Sequence, residues 1–159
     1  MSDVITSSEV KALRPVLKCL TGDYYCYSTR AALTGGEDYC RICLVEGQDG
    51  AKVTEDIVHV ISECLGTKKI REELMANIAS AASTTQVPVD FQHIVSDKKI
   101  LTQFLLDNTS LNLPNNCRVN ISDSASREIF RQARRLISAA HTERLRKLKD
   151  LEKSKCPTM

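Results

Sequence analysis

Four residues in the middle of the chain have the types and the spacing of a metal site. Cys40 and Cys43 form a Cys-x2-Cys pair, and His59 and Cys64 follow as the third and fourth members. The full pattern, Cys-x2-Cys-x15-His-x4-Cys, is close to the spacing with which short segments bind one zinc ion. Thiolates and one imidazole suit a tetrahedral ion, so we predict zinc as the cofactor. Four protein ligands leave no open position for an activated water, which predicts a structural role.

The predicted elements around these residues must bring the four side chains together. Cys40 and Cys43 follow the pair Gly35-Gly36, so we expect them in a turn after a glycine break. The segment 44–53 is predicted to form a small hairpin or a loop. If the Cys-x2-Cys pair arose by chance instead, His59 would be an ordinary residue on a solvated helix face.

Helical phase gives a further test of the third and fourth members. Thr54 is predicted to cap a helix whose apolar side chains share one face. These apolar residues are Ile57, Val58, Ile61 and Leu65. At about 100° per residue, His59 points away from that face, and Cys64 lies about 140° from His59. Both can reach one ion only if the helix loosens near Cys64, and Gly66 favours such a break.

Composition and periodicity predict a mainly α fold: a small helical domain with a CCHC zinc-knuckle-like turn and a long basic C-terminal helix. Of the 159 residues, 42% are hydrophobic and only 4% are aromatic, so the core must be aliphatic. Helices are expected at 7–22 (interrupted by Pro15), 24–33, 67–82, 97–105 and 123–151, with an ordered loop at 108–120. The predicted segments are 1–36 (N-terminal helical segment), 37–82 (zinc-binding module and following helix), 83–121 (linker, short helix and Asn-rich loop) and 122–159 (basic amphipathic helix).

The seven cysteines indicate metal binding or simple burial rather than disulfides. The amino terminus lacks the basic and apolar stretches of a secretory signal, and no apolar run is long enough to cross a bilayer. We therefore expect an intracellular protein, nuclear or cytoplasmic, with no membrane partner. The four cysteines outside the motif are expected to be buried or idle thiols.

The last predicted helix separates a cationic face from an apolar face. Residues 127–159 contain ten Arg and Lys against four Asp and Glu, whereas residues 1–126 contain twelve against sixteen. The predicted nucleic-acid-binding face consists of Arg127, Arg131, Arg134, Arg135, Arg146, Lys149 and Lys153. It either contacts phosphates of RNA or DNA, with binding that weakens steeply in salt, or is a solvated face. The opposite face carries Ile129, Phe130, Ala133, Leu136, Ile137 and Ala140.

Short strings around the motif and near the C-terminus carry a resemblance to a known family. They are Leu20-Thr21-Gly22-Asp23-Tyr24, the Cys-x2-Cys pair, Glu55-Asp56-Ile57-Val58-His59, Cys64, and the strings 101–107, 111–115, 129–131 and 144–148. Together they resemble the zinc-binding segment downstream of the reverse-transcriptase domain in non-LTR retrotransposons, over nearly the whole chain. The resemblance implies zinc ligation by Cys40, Cys43, His59 and Cys64. It also implies a basic helix that helps a polyprotein engage RNA or DNA.

No residue set for catalysis accompanies the motif. The Tyr-x-Asp-Asp signature of a polymerase is absent from the sequence, and His93 and His141 are isolated from candidate nucleophiles. We therefore predict a non-enzymatic zinc-binding module derived from a retrotransposon reverse transcriptase tail, with RNA or DNA as candidate partners. One alternative is a protein-interaction module that docks a protein partner through the apolar face of the C-terminal helix. Another is a non-functional remnant of such an element.

Overall fold

The computed structural model describes residues 7–22, 24–83, 91–106 and 123–155. The helices are α1 (Ser7–Leu20), α2 (Tyr27–Thr34), α3 (Arg41–Glu46), α4 (Lys68–Ser83), α5 (Phe91–Ser96), α6 (Lys98–Leu106) and α7 (Asp123–Lys155). Between α3 and α4 lie a π-helical turn (His59–Glu63) and a 3₁₀ turn (Leu65–Thr67). Extended pairing in these ranges is limited to one isolated bridge, between Tyr39 and Thr54. The predicted fold class, mainly α with a long C-terminal helix, is confirmed.

Helix α7 forms the centre of the fold and packs against α1, α4 and α6. Its apolar residues recur every three or four positions, so they share one face of the helix. Ile129, Ala133, Leu136 and Ile137 on this face are at most 2% exposed. The protein's own core therefore covers these four residues of the face, while Phe130 is half-buried.

One aliphatic core joins elements from both ends of the described chain. Its buried members outside α7 are Val16 of α1, Ile61 of the π-turn, Ile78 of α4, Ile94 of α5, and Leu101, Phe104 and Leu105 of α6. Phe104 is the one aromatic side chain among these core residues, in line with the aliphatic core expected from the composition. Because Ile61 belongs to this core, the π-turn that carries His59 is held against the long helices.

The periodic helices begin and end close to their predicted positions. Asp97 caps α6, since its carboxylate accepts hydrogen bonds from two backbone N–H groups of the first turn (2.8 and 3.2 Å). Helix α1 continues through Pro15, and α2 ends at Gly35, whose φ of 67° is rarely adopted by other residues. The short helix α5 was not predicted. The loop predicted at 108–120 lies outside the described residues.

Two predictions around the metal-site residues need correction. The segment 44–53 forms no hairpin, and a loop begins only at Gly47 because residues 44–46 complete α3. Thr54 does not cap the next helix, since it pairs with Tyr39 instead. The capping oxygen belongs to Asp56, which accepts a hydrogen bond from the backbone N–H of His59 (2.8 Å).

Candidate metal centre

Helix α3 positions the first two cysteines of the motif. Cys40 is the N-cap residue of α3 and Cys43 lies three residues later, so both side chains lie on one side of the first turn. The backbone N–H of Cys40 donates to the carbonyl of Val53 (2.8 Å), which joins the start of α3 to the end of the following loop. The two residues are therefore fixed by a helix start rather than by the predicted turn.

The π-turn explains how His59 and Cys64 come to lie on the same side of the backbone. The backbone N–H of Cys64 donates to the carbonyl of His59 (2.8 Å), five residues earlier instead of four. This wider turn brings Cys64 back over His59, where a regular α-helix would leave it about 140° away. At Cys64 the backbone becomes extended (φ −53°, ψ 127°), and the helix ends. The loosening predicted near Cys64 is confirmed.

The four side chains of the motif converge in the structure. Their ligand atoms all lie within 4.8 Å of one another, and all four residues are buried. The Sγ atom of Cys64 lies 3.8 Å from those of Cys40 and Cys43, and Cys43 Sγ lies 3.3 Å from His59 Nε2. Zinc bonds of about 2.3 Å to sulfur and about 2.0 Å to nitrogen give tetrahedral S···S and S···N distances of about 3.8 and 3.5 Å. These three distances are close to the tetrahedral values, and the sulfurs are too far apart for a disulfide.

Close approach of α3 and the 3₁₀ turn depends on Gly66. A Cβ atom at this position would lie 2.5 Å from Cγ2 of Ile42, a residue that is 1% exposed. Ile42 stands between Cys40 and Cys43 in the sequence, so a side chain at position 66 would push Cys64 away from α3. The backbone conformation does not require glycine here, because Gly66 is not among the glycines with positive φ. The close contact with Ile42 does.

Hydrogen bonds within the cluster separate the pKa values of its members. Hydrogen bonds with Cys40, Cys64 and His59, and one from the backbone N–H of Leu65 (3.3 Å), hold the pKa of Cys43 far below its ordinary value. Hydrogen bonds with Cys43 and Cys64 raise the pKa of Cys40. Burial alone would lower the pKa of His59, but its contacts with Cys43 and Cys64 raise it to about 10. The metal-free cluster thus favours a thiolate at Cys43, the form that binds metal, beside a protonated His59, which must release a proton when a metal binds.

A cationic side chain lies next to the cluster. Arg71 of α4 donates to the carbonyl of Cys64 (3.1 Å) and to the hydroxyl of Thr67 (3.4 Å). Burial lowers the pKa of Arg71, while electrostatic interactions with Cys64 and with the nearby Glu72 and Glu63 partly oppose that shift. Three thiolates and a neutral imidazole around a divalent ion leave one net negative charge, which Arg71 would offset.

Helix α7 covers the cluster with the apolar side of its C-terminal half. Leu148 and Leu151 pack against the buried cysteines and Ile42. On the same stretch of α7, Lys147 pairs with Glu46 at the end of α3. Helix α7 therefore covers one side of the metal-site residues.

A buried ion pair joins α7 to the segment just before the π-turn. Arg144 (3% exposed) donates to Oε1 of Glu55 (0% exposed), and the same oxygen accepts the backbone N–H of Tyr27 (3.0 Å). The rings of Tyr24 and Tyr27 lie 6.0 and 5.9 Å from the guanidinium carbon. Sequence reasoning missed this pair, although Arg144 lies one helical turn after buried Ala140 and therefore shares its face.

The cationic residues predicted on α7 lie mainly at the surface. The exposed members are Arg127, Arg131, Arg135, Arg146, Lys149 and Lys153, and Arg134 is half-buried. Some have acidic neighbours on the same helix: Arg131 pairs with Glu128, and Arg146 pairs with Glu143 and Asp150. Exposed pairs of this kind are weak, so a phosphate could replace the carboxylate.

The remaining predicted residues do not join the cluster. Cys19 and Cys26 are free thiols, and burial raises the pKa of each to about 12. Cys117 and Cys156 lie outside the described residues. His141 is half-buried, and its Nδ1 atom lies 3.0 Å from the hydroxyl of Tyr24.

No family model, no curated protein and no solved structure matches this chain. Within the ranges that the structure describes, no helix is both long and apolar enough to cross a membrane. The function therefore has to be inferred from the geometry of the cluster and from the surface of α7.

Proposed function

We propose that the protein is a non-catalytic zinc-binding module in which Cys40, Cys43, His59 and Cys64 hold one structural Zn²⁺ ion. The observation that carries this proposal is the convergence of four buried donors within 4.8 Å of one another, with Cys64 Sγ at 3.8 Å from the other two sulfurs. Three of the donors are thiols, which favours zinc over harder ions such as Mg²⁺ and Ca²⁺. All four positions are supplied by the protein, which supports a structural rather than a catalytic ion.

Such an ion would hold together elements that are too short to be stable alone. Helix α3 has six residues, and the π-turn and 3₁₀ turn have five and three. The ion would link α3 to the π-turn and thereby complete the surface against which Leu148 and Leu151 of α7 pack.

Metal content of the purified full chain tests the zinc proposal. We expect about one zinc per chain by elemental analysis, loss of that zinc in Cys43→Ser, and a reduced helical CD signal on chelation. Cys26→Ser is the matched control, because Cys26 is buried but lies outside the cluster. A metal-free protein whose CD spectrum does not change with added zinc or chelator would refute the proposal.

We further propose that the exposed cations of α7 bind RNA or DNA phosphates and that the module derives from a retrotransposon reverse transcriptase tail. Support for binding comes from the exposure of six of the seven predicted cations along one helix. Support for the origin comes from the sequence strings alone. In this proposal the metal centre is a structural support for α7 and does not contact the nucleic acid.

Salt-dependent binding of a single-stranded RNA and a DNA duplex tests the nucleic-acid proposal. Neutralising Arg131, Arg135 and Lys149 to Gln should weaken binding to every sequence and lower the salt slope by about 1 per residue. Arg134 is left unchanged because its guanidinium lies over a ring of the same helix. The control is Lys98→Gln/Lys99→Gln on α6, two exposed cations on another element. Equal binding by the α7 variant and the wild type would refute this part alone.

A further inference from the structure

The second ring nitrogen of His59 is a buried polar atom without a hydrogen-bond partner in the described part of the chain. His59 is 3% exposed, and its Nε2 atom faces Cys43 while its Nδ1 atom makes no hydrogen bond. A carboxylate oxygen of Glu63 lies 3.8 Å from Nδ1. The distance is slightly longer than a hydrogen bond, and the Glu63 side chain is 44% exposed, so a small rotation can shorten it.

If Nε2 of His59 binds a metal, its Nδ1 atom requires a hydrogen-bond acceptor. An imidazole that binds a metal through Nε2 is neutral and carries its remaining proton on Nδ1. Metal-bound histidines almost always donate that proton to a carboxylate, a carbonyl or water, which fixes the ring orientation and makes the ligand more basic. The buried Nδ1 of His59 therefore needs an acceptor once Nε2 is committed to the ion.

Glu63 is the acidic residue placed to supply that acceptor. Asp56 is also near, but its Oδ1 atom accepts the backbone N–H of His59 and caps the turn. Glu46 pairs with Lys147. Glu63 also lines, with Cys43 and His59, an open groove of about 600 Å³, so its side chain stands at the solvent side of the ligand pair.

We propose that Glu63 is a positioning residue of the metal centre: it accepts the Nδ1 proton of His59 and holds the imidazole in the tautomer that presents Nε2 to the ion. This inference rests on the proposed zinc function and assigns to it a residue outside the Cys-Cys-His-Cys motif.

Zinc affinity of Glu63 variants, measured on the full chain by competition with a chelator, tests the proposal. Glu63→Ala should bind zinc about 10–100-fold more weakly, and Glu63→Gln, which keeps an acceptor oxygen, should recover most of that loss. The matched control is Glu128→Ala, which removes a carboxylate one helical turn from its cation, Arg131, at the end of α7 that does not pack on the cluster. Glu128→Ala should leave zinc affinity unchanged.

The proton itself provides a readout that a general loss of stability would not change. In the zinc-loaded wild type, ¹⁵N NMR should show a protonated Nδ1 of His59 whose hydrogen exchanges slowly with water, and in Glu63→Ala the exchange should be fast. Wild-type affinity in Glu63→Ala, or unchanged exchange of this proton, would overturn the role of Glu63 and leave the zinc function standing. A wild-type chain that takes up no zinc would overturn both.

Discussion

The helical core and the cysteine cluster are held together in different ways. The core consists of aliphatic side chains such as Ile78 and Leu136, spread over long helices and each contributing through buried apolar area. The cluster consists of four polar or sulfur groups on short elements, with Ile42, Leu148 and Leu151 as its apolar neighbours. In the helical core the stability is spread over many side chains, so one substitution removes a small part of it. In the cysteine cluster, loss of one donor should abolish metal binding.

Removing one ligand should produce the largest effect and separate the two regions. In Cys43→Ser the hydroxyl is a poor zinc ligand, so a binding free energy on the order of 10 kcal/mol is no longer available to the cluster. We expect backbone amides of 39–67 to lose protection from hydrogen exchange, while those of α4, α6 and α7 around the aliphatic core keep theirs.

Hydrogen exchange with mass spectrometry checks this result, with Cys26→Ser as the comparison. Cys26 packs against Tyr24 and Val60 in a separate small cluster, so its replacement should lower stability modestly and leave zinc bound. Loss of protection throughout the chain in Cys43→Ser would show that the two regions unfold as one unit. That outcome would contradict the distinction between them.

The second largest effect should come from the ion pair that connects the two regions. Glu55→Ala leaves the guanidinium of Arg144 buried without its partner, which typically costs about 3–5 kcal/mol. Because the four ligands remain, zinc affinity should fall much less than in Cys43→Ser. Thermal unfolding and zinc competition measured on the same sample test both statements.

A double variant provides the control for this link. Replacing the pair by apolar side chains, Glu55→Leu with Arg144→Met, removes the uncompensated charge and should be more stable than Glu55→Ala. If the double variant is the less stable of the two, the charges themselves rather than their burial hold α7 to the cluster.

The sequence predicts the aliphatic region well and the cluster only in part. The long helices repeat apolar residues at three- and four-residue spacing, and the signal of α4 and α7 accumulates over several turns. Helix α5 has six residues, too few for such a period, and was missed. The identity of the four clustered residues was predicted because cysteine and histidine at short spacings are chemically distinctive.

What the sequence could not give is the path of the backbone through the cluster. Leu65 was predicted on the apolar face, yet it is 43% exposed, because the π-turn and the break at Cys64 shift the phase of every later residue. Helical phase assumes a constant rotation per residue, and a single i→i+5 bond violates it. Arg144 was missed for another reason: its burial depends on Glu55, 89 residues earlier in the chain.

A third variant tests the packing of the cluster without removing a ligand. Gly66→Ala places a methyl group against Ile42, and such overpacking typically costs about 1–3 kcal/mol. We expect weaker zinc binding as well, because Cys64 must move away from α3. Chemical denaturation and zinc competition should both report the change.

Two further substitutions make this test specific. Ile42→Leu removes the Cγ2 methyl group and should relieve part of the effect in the double variant. Gly36→Ala is the neutral control, since its Cβ would meet the nearest side-chain atom at an ordinary 3.5 Å. Equal destabilisation by the two glycine variants would mean that the close contact at Gly66 is unimportant.

The smallest expected effect is a pH dependence of stability that comes from the contact between Tyr24 and His141, where the two regions meet. Burial raises the pKa of Tyr24, so its hydroxyl keeps its proton, and it lies within hydrogen-bond distance of His141 Nδ1 (3.0 Å). Burial, with Arg144 and Lys18 nearby, lowers the pKa of His141 below its ordinary value. The unfolded chain therefore binds more protons than the folded one as pH falls through about 6.5, and stability decreases in that window.

Substitution of His141 isolates this contribution from that of the metal ligands. Between pH 7.5 and 5.5 the free energy of unfolding should fall more in the wild type than in His141→Gln. The difference should be less than about 1 kcal/mol, since the half-buried ring is partly screened by solvent. Both proteins carry the same cluster, so proton competition at the thiolates cancels in the difference. If the free energy of unfolding of the two proteins depended on pH in the same way, the Tyr24–His141 contact would not contribute to holding α7 against the cluster. Only the Glu55–Arg144 ion pair and apolar packing would then hold the two regions together.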